Sequence, residues 1–247
     1  MRWAHLALDA VGAIGFAMGL WRVVQQTRCS TTYDEGILLS HTWVLLTQGG
    51  LPFRDFYTQY PPGIYLLLAA IWKVFGISVM ADRVLSEVLR VGIALLAGVT
   101  AGRLAQRRFA VLPAALVMMW LSCIPGPPFA WLGALLAALA AMLALERALA
   151  LRSRPHLVAA GALLGATFSF RHDLGIYLAL ALIPVGAYAL AVSRPRPGAR
   201  QALRALGYLA AGGVGLPAHA PAVPQRPAGR AGRRAVPGGH PAHPGAQ

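Results

Sequence analysis

Up to Val192 the chain is built of long apolar runs, separated by short polar intervals that hold most of the arginines. A bilayer core about 30 Å thick takes roughly 17 to 25 apolar residues per helix. Runs near this scale lie at Leu6 to Val24, Pro62 to Val79, Val84 to Ala101, Ala110 to Cys123, Phe129 to Leu145, Leu157 to Phe170 and Leu174 to Val192, with a weaker one at Ala205 to Leu216. The pattern predicts an all-α fold, a polytopic transmembrane helix bundle of about seven to eight helices over residues 1–212. No small-residue cleavage site follows the first run, where Trp21-Arg22-Val23-Val24-Gln25 is bulky, so it reads as an uncleaved transmembrane helix and not as a signal peptide.

One polar insertion, residues 25–61, stands out as a long first outer loop. Loops of this length inside compact folds are uncommon and tend to be functional. Within it Thr32-Tyr33-Asp34-Glu35 fits a capping box, with Thr32 as N-cap and Glu35 reaching back to its amide, and Gly49-Gly50 is a natural stop. The spacing predicts a helix from about Tyr33 to Thr47. Its apolar residues, among them Ile37, Leu38, Leu39 and Trp43, form no clean stripe, which predicts a helix half-sunk at the membrane interface. From Gly213 onward proline, glycine, arginine and histidine dominate, and no acidic residue occurs after Asp173. Residues 213–247 are therefore expected to be a disordered tail. Pro224-Gln225-Arg226-Pro227-Ala228-Gly229-Arg230 resembles a reading frame translated out of phase, so a frameshift or truncation near Gly212 to Leu216 is expected, and an active enzyme and an inactive fragment both stay open.

Composition agrees with the runs. The 247 residues are 57 % hydrophobic and 12 % charged, more apolar surface than one water-soluble core can hide. The formal charge of +14 suggests nucleic acid at first sight, but no basic face interleaved with aromatics exists, and no nucleic-acid partner is expected. The arginines alternate instead. Arg103, Arg107 and Arg108 are followed by the uncharged Ile124-Pro125-Gly126-Pro127-Pro128, then by Arg147, Arg152 and Arg154, then by the short Arg171-His172-Asp173, then by Arg194, Arg196, Arg200 and Arg204. The positive-inside rule places the heavily basic intervals in the cytoplasm and the others outside. A cytoplasmic N-terminus with spans at both Pro62 to Val79 and Val84 to Ala101 would put Arg103 outside. Either Pro62 to Val79 lies along or re-enters the interface, or the rule fails at one loop. Two cysteines, Cys29 and Cys123, are too few for a disulfide framework and match no zinc or redox motif.

Ionisable groups beside membrane spans are costly and serve as functional candidates. The strongest cluster is Asp34-Glu35. Asp34 would be second in its helix, where free amides and the positive dipole end attract an anion. A carboxylate there can take a proton from an alcohol or hold a cation; alternatively, first-turn acids only stabilise the helix. Arg83, Glu87 and Arg90 share one helix face and read as a structural ladder. The aromatics from Phe53 to Tyr60 suit a sugar or an isoprenoid chain, and equally an ordinary interfacial belt.

Asp34-Glu35-Gly36, Gly49-Gly50-Leu51-Pro52-Phe53-Arg54-Asp55-Phe56, Gln59-Tyr60-Pro61-Pro62-Gly63, then Gly76 and Arg83, occur in an order that resembles the N-terminal half of C-type membrane glycosyltransferases. The likeness is to the protein-mannosyltransferase-like and lipopolysaccharide-sugar-transferase-like branch. It covers Trp3 to Val192 in layout, with specific motifs only between Asp34 and Arg83. The resemblance implies a multi-pass protein of the bacterial inner membrane. It also implies an inverting transfer of a sugar from a polyprenyl-phosphate donor to a lipid, glycan or protein acceptor on the outer face. The catalytic role falls on Asp34, with Glu35 in support, and the substrate-binding candidates are Arg54, Asp55, Tyr60, Arg171 and His172. No cofactor is implied and a divalent metal is not indicated; membrane lipids are the other expected partners. Such relatives place a lysine before the paired prolines, where this chain has Tyr60. Two other classes stay open, a transporter or flippase subunit and a non-catalytic membrane scaffold.

Overall fold

The computed structural model describes residues 2–27, 33–105, 110–124, 129–151, 153–192 and 207. Eight helices follow in chain order among them: α1 (Arg2–Gln26), α2 (Tyr33–Gln48), α3 (Gly63–Phe75), α4 (Val79–Leu104), α5 (Val111–Leu121), α6 (Ala130–Leu151), α7 (Arg154–Phe170) and α8 (His172–Val192). No β-strand occurs among the described residues; the one bridge joins Pro52 to Phe56. Among the described residues three stretches, Leu6–Gln26, Val79–Arg103 and Ala130–Leu151, are long and apolar enough to cross a membrane. Thr32, Arg107, Arg108, Pro125 to Pro128, Arg152, the run Ala205 to Leu216 apart from Gly207, and the tail 213–247 lie outside the described residues.

Local chemistry fixes the helix ends. Gly76, at φ +85°, stops α3 and returns its amide to Trp72 O at 2.9 Å. Ser78 then caps α4, its hydroxyl accepting from the Met80 amide at 3.1 Å. The apolar run expected to extend to Val79 is thus cut at Phe75, and α4 begins five residues earlier than its hydropathy suggests. α2 matches its predicted bounds to within a residue and gives way to Gly49 at φ +68°. Only Arg171, in extended conformation, separates α7 from α8.

Contacts between helices define two ends of the bundle. Gly12 of α1 faces Val111, Gly19 faces Met118, and Gln26 donates to Ser122 O at 2.5 Å, so α1 and α5 run parallel along a seam of glycines. Gly98 of α4 meets Ala110, and Arg90 reaches Ile124 O at 2.9 Å, so α4 runs against α5. Gly92 of α4 touches Leu136, and Arg103 pairs with Glu146, so α4 and α6 run together. Gly133 packs on Phe170, which sets α7 against α6. Chain direction therefore alternates through α4, α5, α6 and α7, and α8 turns back from the end of α7.

α3 breaks the alternation. Its first residue, Gly63, abuts Ser169 and Phe170 where α7 finishes, and it hands over to α4, whose Arg83 holds Thr27 O at the end of α1. Both ends of α3 lie at the same end of the bundle. Thirteen residues rise about 20 Å, too short for a bilayer core of about 30 Å. Its apolar side, Ile64, Tyr65, Leu68 and Trp72, is sunk against Leu38 and Leu45 of α2 and Leu85, Leu89 and Ile93 of α4. By contrast Val11, Ile14, Met18 and Trp21 form an exposed apolar stripe on α1 that water would disfavour and lipid would cover.

The crossing of α3 and α7 gives a direct test. A Cβ on Gly63 would sit 2.5 Å from Ser169 O and 2.7 Å from its carbonyl carbon, backbone atoms that cannot swing aside. Gly63→Ala is expected to destabilise by about 1–3 kcal/mol. Gly36→Ala, in open space on α2, is expected to stabilise by up to about 1 kcal/mol. Thermal unfolding in detergent measures both, and equal melting temperatures for the two variants would contradict the packing described.

Candidate functional site

At the end of the bundle where α1, α5 and α7 finish, α2, the segment 57–60, α3 and the start of α6 enclose a cleft of about 310 Å³. α2 supplies one wall. At 100° per residue the positions Asp34, Ile37, Leu38 and His41 fall along one side of the helix, and all four line the cleft. Asp34 is exposed in the first turn, among amides that have no helical acceptor.

Glu35, one residue on, is turned away from the cleft and is 3 % exposed. Its Oε1 accepts from Arg83 Nε at 2.8 Å and its Oε2 from Nη2 at 3.3 Å, while Arg83 Nη1 donates to Thr27 O at 2.9 Å. One arginine of α4 thereby ties the start of α2 to the end of α1. Two turns further along α4, Arg90 is fully buried and donates to Glu87 at 2.9 Å, Gln26 at 3.2 Å and Ile124 O at 2.9 Å. The expected three-membered ladder on α4 is thus split: Glu87 and Arg90 pair, whereas Arg83 reaches across to α2. Asp82 is also fully buried, within electrostatic range of Glu35 and Arg83, and neither of its oxygens has a hydrogen-bond partner among the described residues.

Aromatic groups make the opposite wall: Tyr57, Tyr60, Tyr65 and Phe129. Thr58 seats the loop, because its buried hydroxyl bonds to the Tyr65 hydroxyl and accepts from the Tyr60 amide at 3.2 Å. The preceding segment folds on itself. Leu51 donates its amide to Asp55 Oδ2 at 2.7 Å, Asp55 pairs with Arg54 at 2.7 Å, and Phe53 adopts φ +66°, a strained conformation for a non-glycine residue. The Arg54 guanidinium, then the Leu51 amide, hold the Asp55 carboxyl below the ordinary carboxylate range. Turn order is accordingly kept at neutral pH and released as the pH falls through that lowered value.

The sequence candidates thus separate. Asp34 and Tyr60 line the cleft. Glu35 lies behind it on Arg83. Arg54 and Asp55 face each other on an exposed turn and are not among the cleft walls. Arg171 pairs with Asp173 at 2.9 Å beside the exposed His172, at the same end of the bundle but outside the cleft lining. Among the described residues no three His, Cys, Asp or Glu side chains gather as a metal site. Sequence reasoning misses His41 and Asp82. His41 had a signal, its seven-residue spacing from Asp34, which returns to the same side of a helix.

The chain matches no family model, no curated protein and no solved structure.

Proposed function

We propose that this chain belongs to an inverting membrane glycosyltransferase that takes a sugar from a polyprenyl phosphate on the outer face of a bacterial inner membrane. The observation that carries the reading is Asp34, an exposed carboxylate at a helix start inside an aromatic-walled cleft at one end of an apolar bundle. In the transfer, the Asp34 carboxylate takes the proton of the acceptor hydroxyl. That oxygen forms a bond to the anomeric carbon from one side, and the bond from that carbon to the phosphate oxygen breaks on the other. The electron pair leaves with the polyprenyl phosphate, and the anomeric centre inverts. Tyrosine rings suit a sugar face, since they offer apolar area and a hydroxyl together.

Charge placement supports the orientation. At the cleft end Arg54, Arg83, Arg90 and Arg171 each pair with an acid, whereas Arg103, Arg147 and Arg154 sit at the opposite end, where Glu146 pairs with Arg103. Putting the arginine end in the cytoplasm follows the positive-inside rule and leaves the cleft outside. With α3 lying at the interface, α1, α4 and α6 are long enough to cross, α4 and α6 both running from the cleft end to the arginine end, and α2 rides on the outer surface. Incubation of the protein in liposomes with a polyprenyl-phosphate sugar and envelope lipids tests the reading. Release of free polyprenyl phosphate is expected, and an intact donor would count against the proposal.

One observation favours a second reading, a proton-coupled transporter subunit: the buried carboxyl of Asp82 in an apolar helix. Proton flux into liposomes that Asp82→Asn abolishes would support it. Against it, Asp82, Glu87 and Arg90 all lie in the first half of α4, and no charged path continues beyond them in that helix before Arg103.

A further inference from the structure

Among the described residues of the cleft walls, His41 is the one able to carry positive charge; the others are Asp34 and neutral side chains. Its ring lies 4.7 Å from Phe56, tilted by 32°, and 5.8 Å from Tyr65, edge-on, so its orientation is fixed from two elements. Nδ1 is enclosed and has no hydrogen-bond partner among the described residues. Seven residues separate His41 from Asp34, two turns or about 10 Å along the same side of α2. An in-line displacement needs its proton acceptor and its leaving group on opposite sides of the reacting carbon. A carboxylate and an imidazole at the two ends of one cleft meet that need.

We propose that His41 is the group that holds the carrier's phosphate, an inference that rests on the transferase reading. The ring donates a hydrogen bond to a phosphate oxygen and, when protonated, adds charge attraction. The Phe56 face favours an imidazolium, while partial burial holds the free group below the ordinary histidine value. An arriving phosphate reverses that balance, so binding draws in a proton. The other titratable groups of the cleft walls are Tyr33 and Asp34 on α2, Tyr57 and Tyr60 on the loop and Tyr65 on α3; among the described residues α6 contributes none. Burial, the largest cause, raises the Tyr65 hydroxyl above the ordinary phenol value.

The test is binding of farnesyl methyl phosphate, a diester of constant charge, to the full chain in phosphatidylcholine nanodiscs between about pH 5 and pH 8. Wild type is expected to bind more tightly at low pH. His41→Gln is expected to lose roughly tenfold in affinity at low pH and most of the pH dependence. His41→Lys is expected to keep the affinity and lose the pH dependence, which separates charge from folding. Equal affinity and equal pH dependence in wild type and His41→Gln would overturn the assignment. Displacement by inorganic phosphate at the same concentration would also overturn it, since the site would then read a free oxyanion and not a lipid phosphate. Absence of binding by wild type under all conditions would instead sink the transferase reading beneath it.

Discussion

Asparagine in place of Asp34 is expected to slow sugar transfer by about 10²- to 10⁴-fold, the span general-base removal produces. The side chains are nearly isosteric, and Asp34 is exposed with no ion pair among the contacts described, so the fold has little reason to change. Donor binding should stay within a few-fold, because the proposal places the leaving phosphate at His41. The loss therefore belongs in kcat. Turnover measured with a saturating polyprenyl-phosphate sugar, beside a melting curve, distinguishes this outcome from misfolding. Undiminished turnover would remove Asp34 from the chemistry.

Glu35, its neighbour, is expected to behave in the opposite way. Arg83 and Glu35 retain 18 % and 4 % side-chain exposure, which places the pair nearer the buried than the surface class. Removing one partner of a buried pair costs about 3–5 kcal/mol because the survivor is left without compensation. The residual exposure of Arg83 argues for the lower end, about 3 kcal/mol, for Glu35→Leu or Arg83→Met alone. The double variant should be less destabilised than the sum, since neither member of the pair is left behind without the other. Chemical unfolding in detergent closes the cycle. Single losses below about 1 kcal/mol would mean that the pair behaves like an exposed one.

The sequence discloses helical class and the bounds of α2, because long apolar runs, a first-turn acidic pair and a glycine stop are local signals. It leaves the role of Pro62 to Val79 undecided, and the structure shortens that run to α3 through Gly76 and Ser78, whose capping lies beneath the resolution of a hydropathy window. The face of α2 was illegible for another reason. Its buried positions are Glu35, Leu38, Thr42 and Leu45, a regular stripe in which half the members are polar. Hydrophobic periodicity cannot register a stripe sealed by an ion pair and by a threonine hydroxyl bonded to Leu38 O at 2.8 Å. The same blindness hides His41. Arg54 and Arg171 were candidates by charge and position, yet each has an acid one or two residues away, and short-range partners dominate in the fold.

The adjacency of Asp34 and Glu35 has a mechanical consequence. Consecutive helical residues cannot move independently, so the carboxylate clasped by α4 restrains the one that faces the cleft. A carboxylate on an exposed helix start would otherwise follow the motion of α2 alone. Here its backbone is moored through one peptide unit to the interior of the bundle, which would set its place in the proposed transfer ahead of binding.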